Sequence, residues 1–303
     1  MSGYNRPMAI ARHQFLRFIE YCLQPALLVA VIWIWYENQS NPWAYPALIL
    51  GVQLVLGFTE QFFPAREDWV QHAPERLRNI TIVLVVTLGT LSVGNWYASS
   101  LAEPLARLRE SLGADVWPHH WPVLVQLGMV FLASEFIWYW VHRAEHRWGI
   151  VWRLSGHGAH HSFKHLGAIN FGANHPFEMF LLVLPAALVE LFFGVGVAAA
   201  GSAVLTTTQA SVAHTNLKMN SRGIGWVLTT NNYHIRHHST VLEESNTNYG
   251  CSAILWDRVF GTFSEGPVVD AGIGPTEPST WRKLLMPFRE PEDSAVAPES
   301  VRT

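Results

Sequence analysis

Charge is scarce in this sequence. Only 14% of its 303 residues are Asp, Glu, Lys or Arg, against about a quarter in a soluble globular domain. The 20 basic and 23 acidic residues leave a formal net charge of −3. There is no basic stripe, so an electrostatically held nucleic-acid partner is not expected. Cysteine is scarcer still. Cys22 and Cys251 stand alone and far apart, too few for a disulfide framework or an iron–sulfur cluster. Redox compartment therefore cannot be read from them. No His-Glu-x-x-His run is present, which leaves a zinc-peptidase reading without its general base. No Glu-x-x-His pair is present either, which argues against a ferritin-like carboxylate centre. The chain shows no internal repeat.

Apolar residues are abundant instead. Half of the chain is hydrophobic and 14 residues are tryptophan. The apolar residues gather into runs at Phe18–Tyr36, Trp43–Phe63, Ile80–Tyr97 and Trp121–Val141, each close to the ~20 residues a helix needs to cross a bilayer. Trp33, Trp35, Trp43, Tyr45, Trp96, Tyr97, Trp138 and Trp140 sit near their ends, as interfacial aromatics do. The N-terminal segment carries Arg6, Arg12 and Arg17 and is read as lacking a cleaved leader. The turn Asn38–Pro42 has no basic residue, while Arg66, Arg76 and Arg78 follow the second run. This alternation places the N-terminus, and the end of the fourth run, in the cytoplasm. A further apolar stretch, Phe177–Thr208, is broken by Pro185, Gly194 and Gly196. It suits two short helices forming a hairpin that dips in and returns. The expected fold is all-α: a multi-span membrane bundle with a cytoplasmic, histidine-rich metal-binding cap. Residues 1–120 supply the first spans, 121–263 the catalytic domain, and 264–303 a polar tail whose last dozen residues are expected to be disordered.

Eleven of the 15 histidines lie between His142 and His238. His142 and His146 form HRAEH, His157, His160 and His161 form HGAHH, and His234, His237 and His238 form HIRHH. Residues three and four apart share a helix face, so each cluster is able to aim its imidazoles at a common point. Neutral imidazole is the commonest metal ligand, and these eight exceed what one ion takes. A structural zinc site would need four ligands and usually includes cysteine. The pattern points to a two-metal, all-histidine centre. His214, after the hairpin, is the best ninth ligand, and His175 is a further candidate. His165 is ranked as peripheral, and His13, His72, His119 and His120 as ordinary structural histidines. Glu178 is expected to orient a histidine. Histidine alone does not choose among iron, zinc and manganese. Two metals at a membrane edge suit activation of dioxygen for C–H oxidation of a lipid that reaches the centre sideways. A two-metal hydrolase would be expected to use bridging carboxylates. A transporter would carry ionisable residues along its spans, and the apolar runs hold few acids, Glu60, Glu135 and Glu190 among them. A metal-binding protein without catalysis is the alternative from another class. GVGVAA at Gly194 lacks the strand–turn–helix setting of a nucleotide site.

Taken together, HRAEH, HGAHH, NHPFE, AHTN, HIRHH, Asn248-Tyr249-Gly250 and the run Trp256 to Phe263 (WDRVFGTF) resemble the fatty acid hydroxylase/sterol desaturase superfamily of integral-membrane di-iron enzymes. The resemblance covers roughly Trp121–Phe263. It implies two iron ions, dioxygen as co-substrate, and hydroxylation or desaturation of a sterol-like or fatty acyl lipid. A polar lipid, such as an ornithine lipid or an alkylglycerol ether, is the alternative substrate. It also implies His142, His146, His157, His160, His161, His234, His237 and His238 as ligands, with His214 as the extra histidine before the last box. Asp257 and Arg258 are then expected to pair or to support a histidine, and Asn248 to do likewise. KHLGAINFGANHP, from Lys164 to Pro176, departs from the family's pattern. No cytochrome domain, cluster or flavin motif accompanies the boxes, so a separate ferredoxin, cytochrome or reductase is the expected electron donor.

Overall fold

A computed structural model describes residues 6–289 and 294–298. Among the described residues the chain is helical and has no strand. The helices are α1 Arg6–Tyr21, α2 Leu23–Glu37, α3 Ala44–Phe62, α4 Ala73–Ser111, α5 Val123–Arg147, α6 Gly149–Ser155, α7 Gly158–His161, α8 Met179–Phe193, α9 Ala198–Ala213, α10 Asn231–His237, α11 Leu242–Ser245, α12 Leu255–Phe260 and α13 Thr280–Leu285. α4 packs along α8, α5 lies between α8 and α9, and α2 and α3 lean on α9. Short helices α6, α7 and α10–α13 cover one end of this bundle.

Three segments are long and apolar enough to cross a membrane: Ala73–Ser111, Val123–Arg147 and Pro176–Phe193. The run expected as the first span is two helices, bent by 64° between Tyr21 and Leu23. Pro25 explains the break, since it has no N–H to give the Tyr21 carbonyl one turn back. The run expected as the second span forms α3, but with Gln53, Glu60 and Gln61 in it it is not among the helices apolar enough to cross. α4 continues through Ser111, well past the span expected to end at Tyr97. At ~1.5 Å per residue it is about 58 Å long. Val29, Trp33, Leu50, Leu54, Phe58, Leu84, Leu88 and Leu91 stay exposed on α2–α4, the surface a lipid environment would cover.

The hairpin expected at Phe177–Thr208 is α8 and α9, 15 and 16 residues long. Gly194 ends α8 in the left-handed region at φ 66°, where a side chain is disfavoured. α9 then returns through the bundle against Trp35 and Leu127. A Cβ on Gly201 would lie 2.5 Å from Leu127 and 2.6 Å from Trp35, so glycine permits the close approach.

Two buried carboxylates staple the apolar helices to the cap. Glu60 Oε1 accepts from the Ala168 and Asn216 N–H groups at 2.9 and 2.8 Å. Glu135 Oε2, on α5, accepts from Ser252 and Ala253 N–H, each at 3.2 Å. Part of the stretch expected to be a disordered tail is packed. Val296 and Ala297 are fully buried with Met286 against Trp152, because an apolar indole at the floor of the cap needs covering. Residues 292–293 and 299–303, which share that expectation, lie outside the described residues.

Candidate metal centre

All eight box histidines and His214 meet inside the cap, each no more than 6% exposed. They form two groups, each with candidate ligand atoms within 4.8 Å of one another. One holds His142, His146, His157, His161 and His237, the other His160, His214, His234 and His238. Only the first box aims at one point. The other two boxes divide, for a helical reason. Residues four apart share a face, so His157 and His161 stay together, as do His234 and His238. The third member of each box, His160 or His237, turns to the opposite group. The stacked rings of His161 and His238, with centroids 4.4 Å apart, mark the seam between the groups.

The Nε2 atoms converge. In the first group His142 and His237 are 3.0 Å apart, His142 and His157 3.0 Å, and His146 lies 3.1 Å from both His157 and His161. In the second, His214 is 3.1 Å from His234 and 3.3 Å from His160, and His238 is 3.2 Å from His234. Such edges suit metal–nitrogen bonds of about 2.1 Å.

The partners of the far ring nitrogens test whether a metal fits. His142 Nδ1–H donates to the Tyr249 carbonyl at 2.6 Å, and His237 Nδ1–H to the Thr247 carbonyl at 2.7 Å. A carbonyl only accepts, so both protons sit on Nδ1. In the neutral ring Nε2 is then a bare lone pair, and two bare lone pairs face each other across 3.0 Å. They cannot hydrogen-bond to each other. A cation between them satisfies both. His214 Nδ1–H likewise donates to the Ala210 carbonyl at 2.8 Å. Burial supports the neutral form: it pushes the imidazoles of His157, His160, His161, His234, His237 and His238 well below their ordinary 6.5.

The Tyr249 and Thr247 carbonyls belong to the segment after the last box, which is held in place. Asn248 adopts φ 57°, donates to the Tyr233 and Ser264 carbonyls at 2.9 and 2.7 Å, and accepts from Ser264 N–H at 2.9 Å. Asp257 accepts from Tyr249 N–H, Gly250 N–H and the Thr262 hydroxyl at 2.7–2.8 Å. Both support the histidines at one remove, through the 247–249 backbone. Arg258 does not pair with Asp257. It donates to the Gly225 carbonyl at 2.7 Å and lies over the Phe263 ring.

The remaining candidates are elsewhere. His175 belongs to neither group. Its Nδ1 accepts from Phe177 N–H at 3.1 Å and its Nε2–H donates to the Leu284 carbonyl at 3.2 Å. His165 pairs with Glu75 at 3.2 Å. Glu178 Oε1 accepts from His157 Nδ1–H at 2.8 Å, a contact of the kind that orients an imidazole. Sequence reasoning missed Glu145 Oε2, 3.7 Å from the same nitrogen, and the three carbonyl partners. The spacing of Glu145 inside HRAEH was a usable signal for the first. Backbone carbonyls leave none.

Residues 127–262 match the fatty acid hydroxylase family model. The ornithine lipid hydroxylase of Rhizobium tropici is 27% identical over 284 residues, covering 88% of this chain and 83% of that protein. Alkylglycerol monooxygenases of Xenopus tropicalis and Homo sapiens are 29% and 28% identical over 140 and 133 residues. Those alignments take in 45% and 44% of this chain but only 30% and 29% of the relatives. No solved structure matches the chain. The stretch that matches the fatty acid hydroxylase family, residues 127–262, contains all nine clustered histidines.

Proposed function

We propose that this protein is a membrane oxidoreductase that hydroxylates a C–H bond of a polar lipid at a di-iron centre. His142, His146, His157, His161 and His237 hold one ion, and His160, His214, His234 and His238 the other. The facing lone pairs of His142 and His237 carry the metal reading. The near full-length similarity to an ornithine lipid hydroxylase favours a polar lipid over a sterol or free fatty acid.

Iron bound there supplies the two-electron activation of dioxygen. The net reaction is R–H + O2 + 2 e− + 2 H+ → R–OH + H2O, with electrons from a separate ferredoxin, cytochrome or reductase. The chain's own contribution is arrangement. Carbonyl partners lock the tautomers of His142, His214 and His237, so lone pairs face the centre before any ion arrives. Trp152, Tyr139 and Leu166, all at most 1% exposed, help keep bulk water from the cap, which protects an oxidising site from side reactions. The apolar α4, α5 and α8 surfaces let a lipid approach while its chains stay in the bilayer. Arg12, Arg17, Arg66, Arg76 and Arg78 favour a cytoplasmic centre.

The test compares lipid extracts of cells with and without the gene by mass spectrometry, alongside iron analysis of the purified protein. A polar-lipid species 16 mass units heavier and close to two irons per chain are expected. No mass change, or one ion or none, would overturn the reading.

A further inference from the structure

The histidine shell is neutral, so two divalent ions would bring four positive charges into a buried site with no compensation from their ligands. Carboxyl groups are present on one side only. Glu145, between the histidines of the first box, and Glu178, before α8, are 0% and 1% exposed. Both converge on His157 Nδ1, at 3.7 and 2.8 Å. Both Glu145 oxygens and Glu178 Oε2 have no hydrogen-bond partner. Among the described residues no lysine or arginine forms an ion pair with either. Carboxylates in that state are costly to bury unless a cation lies close. No histidine of the other group faces a carboxylate. His214 Nδ1–H goes to a carbonyl, and the His234 and His238 Nδ1 atoms have no partner.

We infer that Glu145 and Glu178 make the centre electronically unequal, holding the ion of the five-histidine group at the lower reduction potential. Glu178 acts through His157: a carboxylate accepting the Nδ1 proton makes Nε2 a stronger donor. Glu145 acts through space. Negative charge beside one ion stabilises its ferric over its ferrous state. That ion therefore gives up its electron first on oxidation and regains it last. Glu145 and Glu178 are positioning residues in this role. They complete the charge balance of one half of the site without ligating it.

This inference rests on the di-iron reading, and the experiment separates the two. Full-length protein loaded with 57Fe in detergent is titrated between its diferrous and diferric states and followed by Mössbauer spectroscopy. The wild type should bind two irons and show two distinct couples. Glu178→Gln should raise the lower couple and leave the other in place. The ferric-to-ferrous ratio of that ion at fixed potential should fall about tenfold, equivalent to about 59 mV for one electron. Glu145→Gln, which leaves the His157 hydrogen bond intact, should shift it less in the same direction, and Glu178→Asp should restore it. Should Glu178→Gln fail to hold iron, the Glu145→Gln shift alone decides. Two irons in the wild type with couples unmoved by the substitutions, or moved equally, would overturn the inference and leave the di-iron reading standing. Fewer than two irons would overturn that reading and the inference with it.

Discussion

Each half of the centre depends on individual side chains in different boxes, so single substitutions separate them. His237→Ala removes a nitrogen from the five-histidine group and His160→Ala one from the four-histidine group. Each should lower bound iron toward one ion and cut lipid oxidation at least a hundredfold while the protein still inserts in the membrane. Surviving activity in either would sink the ligand assignment. Asn248→Ala loses three hydrogen bonds and places alanine at a positive φ. It should destabilise the fold by about 2 kcal/mol, read as a lower midpoint in thermal unfolding; Asn248→Gly should fall between it and the wild type. The histidines were legible in the sequence because helical spacing aims side chains. Their partition was not, since a box gives no sign that its third histidine turns to the opposite group. The Tyr249, Thr247 and Ala210 carbonyls were invisible, because a carbonyl belongs to every residue and only the fold decides which one meets an imidazole.

At the level of elements, hydrophobic runs located α2–α5 and the α8–α9 hairpin but misjudged how they end. Pro25 splits the first run because a missing N–H outweighs apolar continuity. Gln53, Glu60 and Gln61 keep α3 out of the set of helices apolar enough to cross, and Glu60 accepts from backbone N–H groups beside the His214 segment. α9 is the element on which the four-histidine group hangs, since His214 closes its C-terminus. Gly201→Leu should force α9 away from Trp35 and Leu127, at a cost of about 1–3 kcal/mol, and should weaken iron binding although residue 201 touches no ligand. An unchanged melting midpoint and iron content would refute that coupling. Glu135→Leu should likewise free the 249–253 segment, whereas Glu135→Gln keeps an oxygen for the Ser252 and Ala253 N–H groups and should be milder.

For the molecule as a whole, the buried imidazoles set an acid limit. Burial depresses six of them well below 6.5 in the folded state. The unfolded chain therefore binds more protons below that pH, and stability rises with pH through the interval. Their contribution is complete above pH 6.5 and is lost as pH falls toward the folded values. The metal-free protein should accordingly melt at a lower temperature at pH 5 than at pH 7.5; a flat profile would contradict burial of neutral histidines. The C-terminal segment belongs to this scale too. Removing residues 264–303 uncovers Trp152, whose ring centroid lies 5.4 Å from that of His146, and should speed loss of bound iron. Composition marked this segment as polar tail because its proline and glutamate content hides the short apolar patch Val296–Ala297.

The division of the second and third boxes has a consequence in time. Neither group can be completed by one stretch of chain: the first spans His142 to His237, the second His160 to His238. Both remain open until the ribosome has passed residue 238, when the membrane helices before them are already made. On the proposed di-iron reading, iron would therefore be acquired late, by a chain already committed to the bilayer, and both ions would wait on the same final box. A half-loaded enzyme is not a stage of its biosynthesis that the order of synthesis creates.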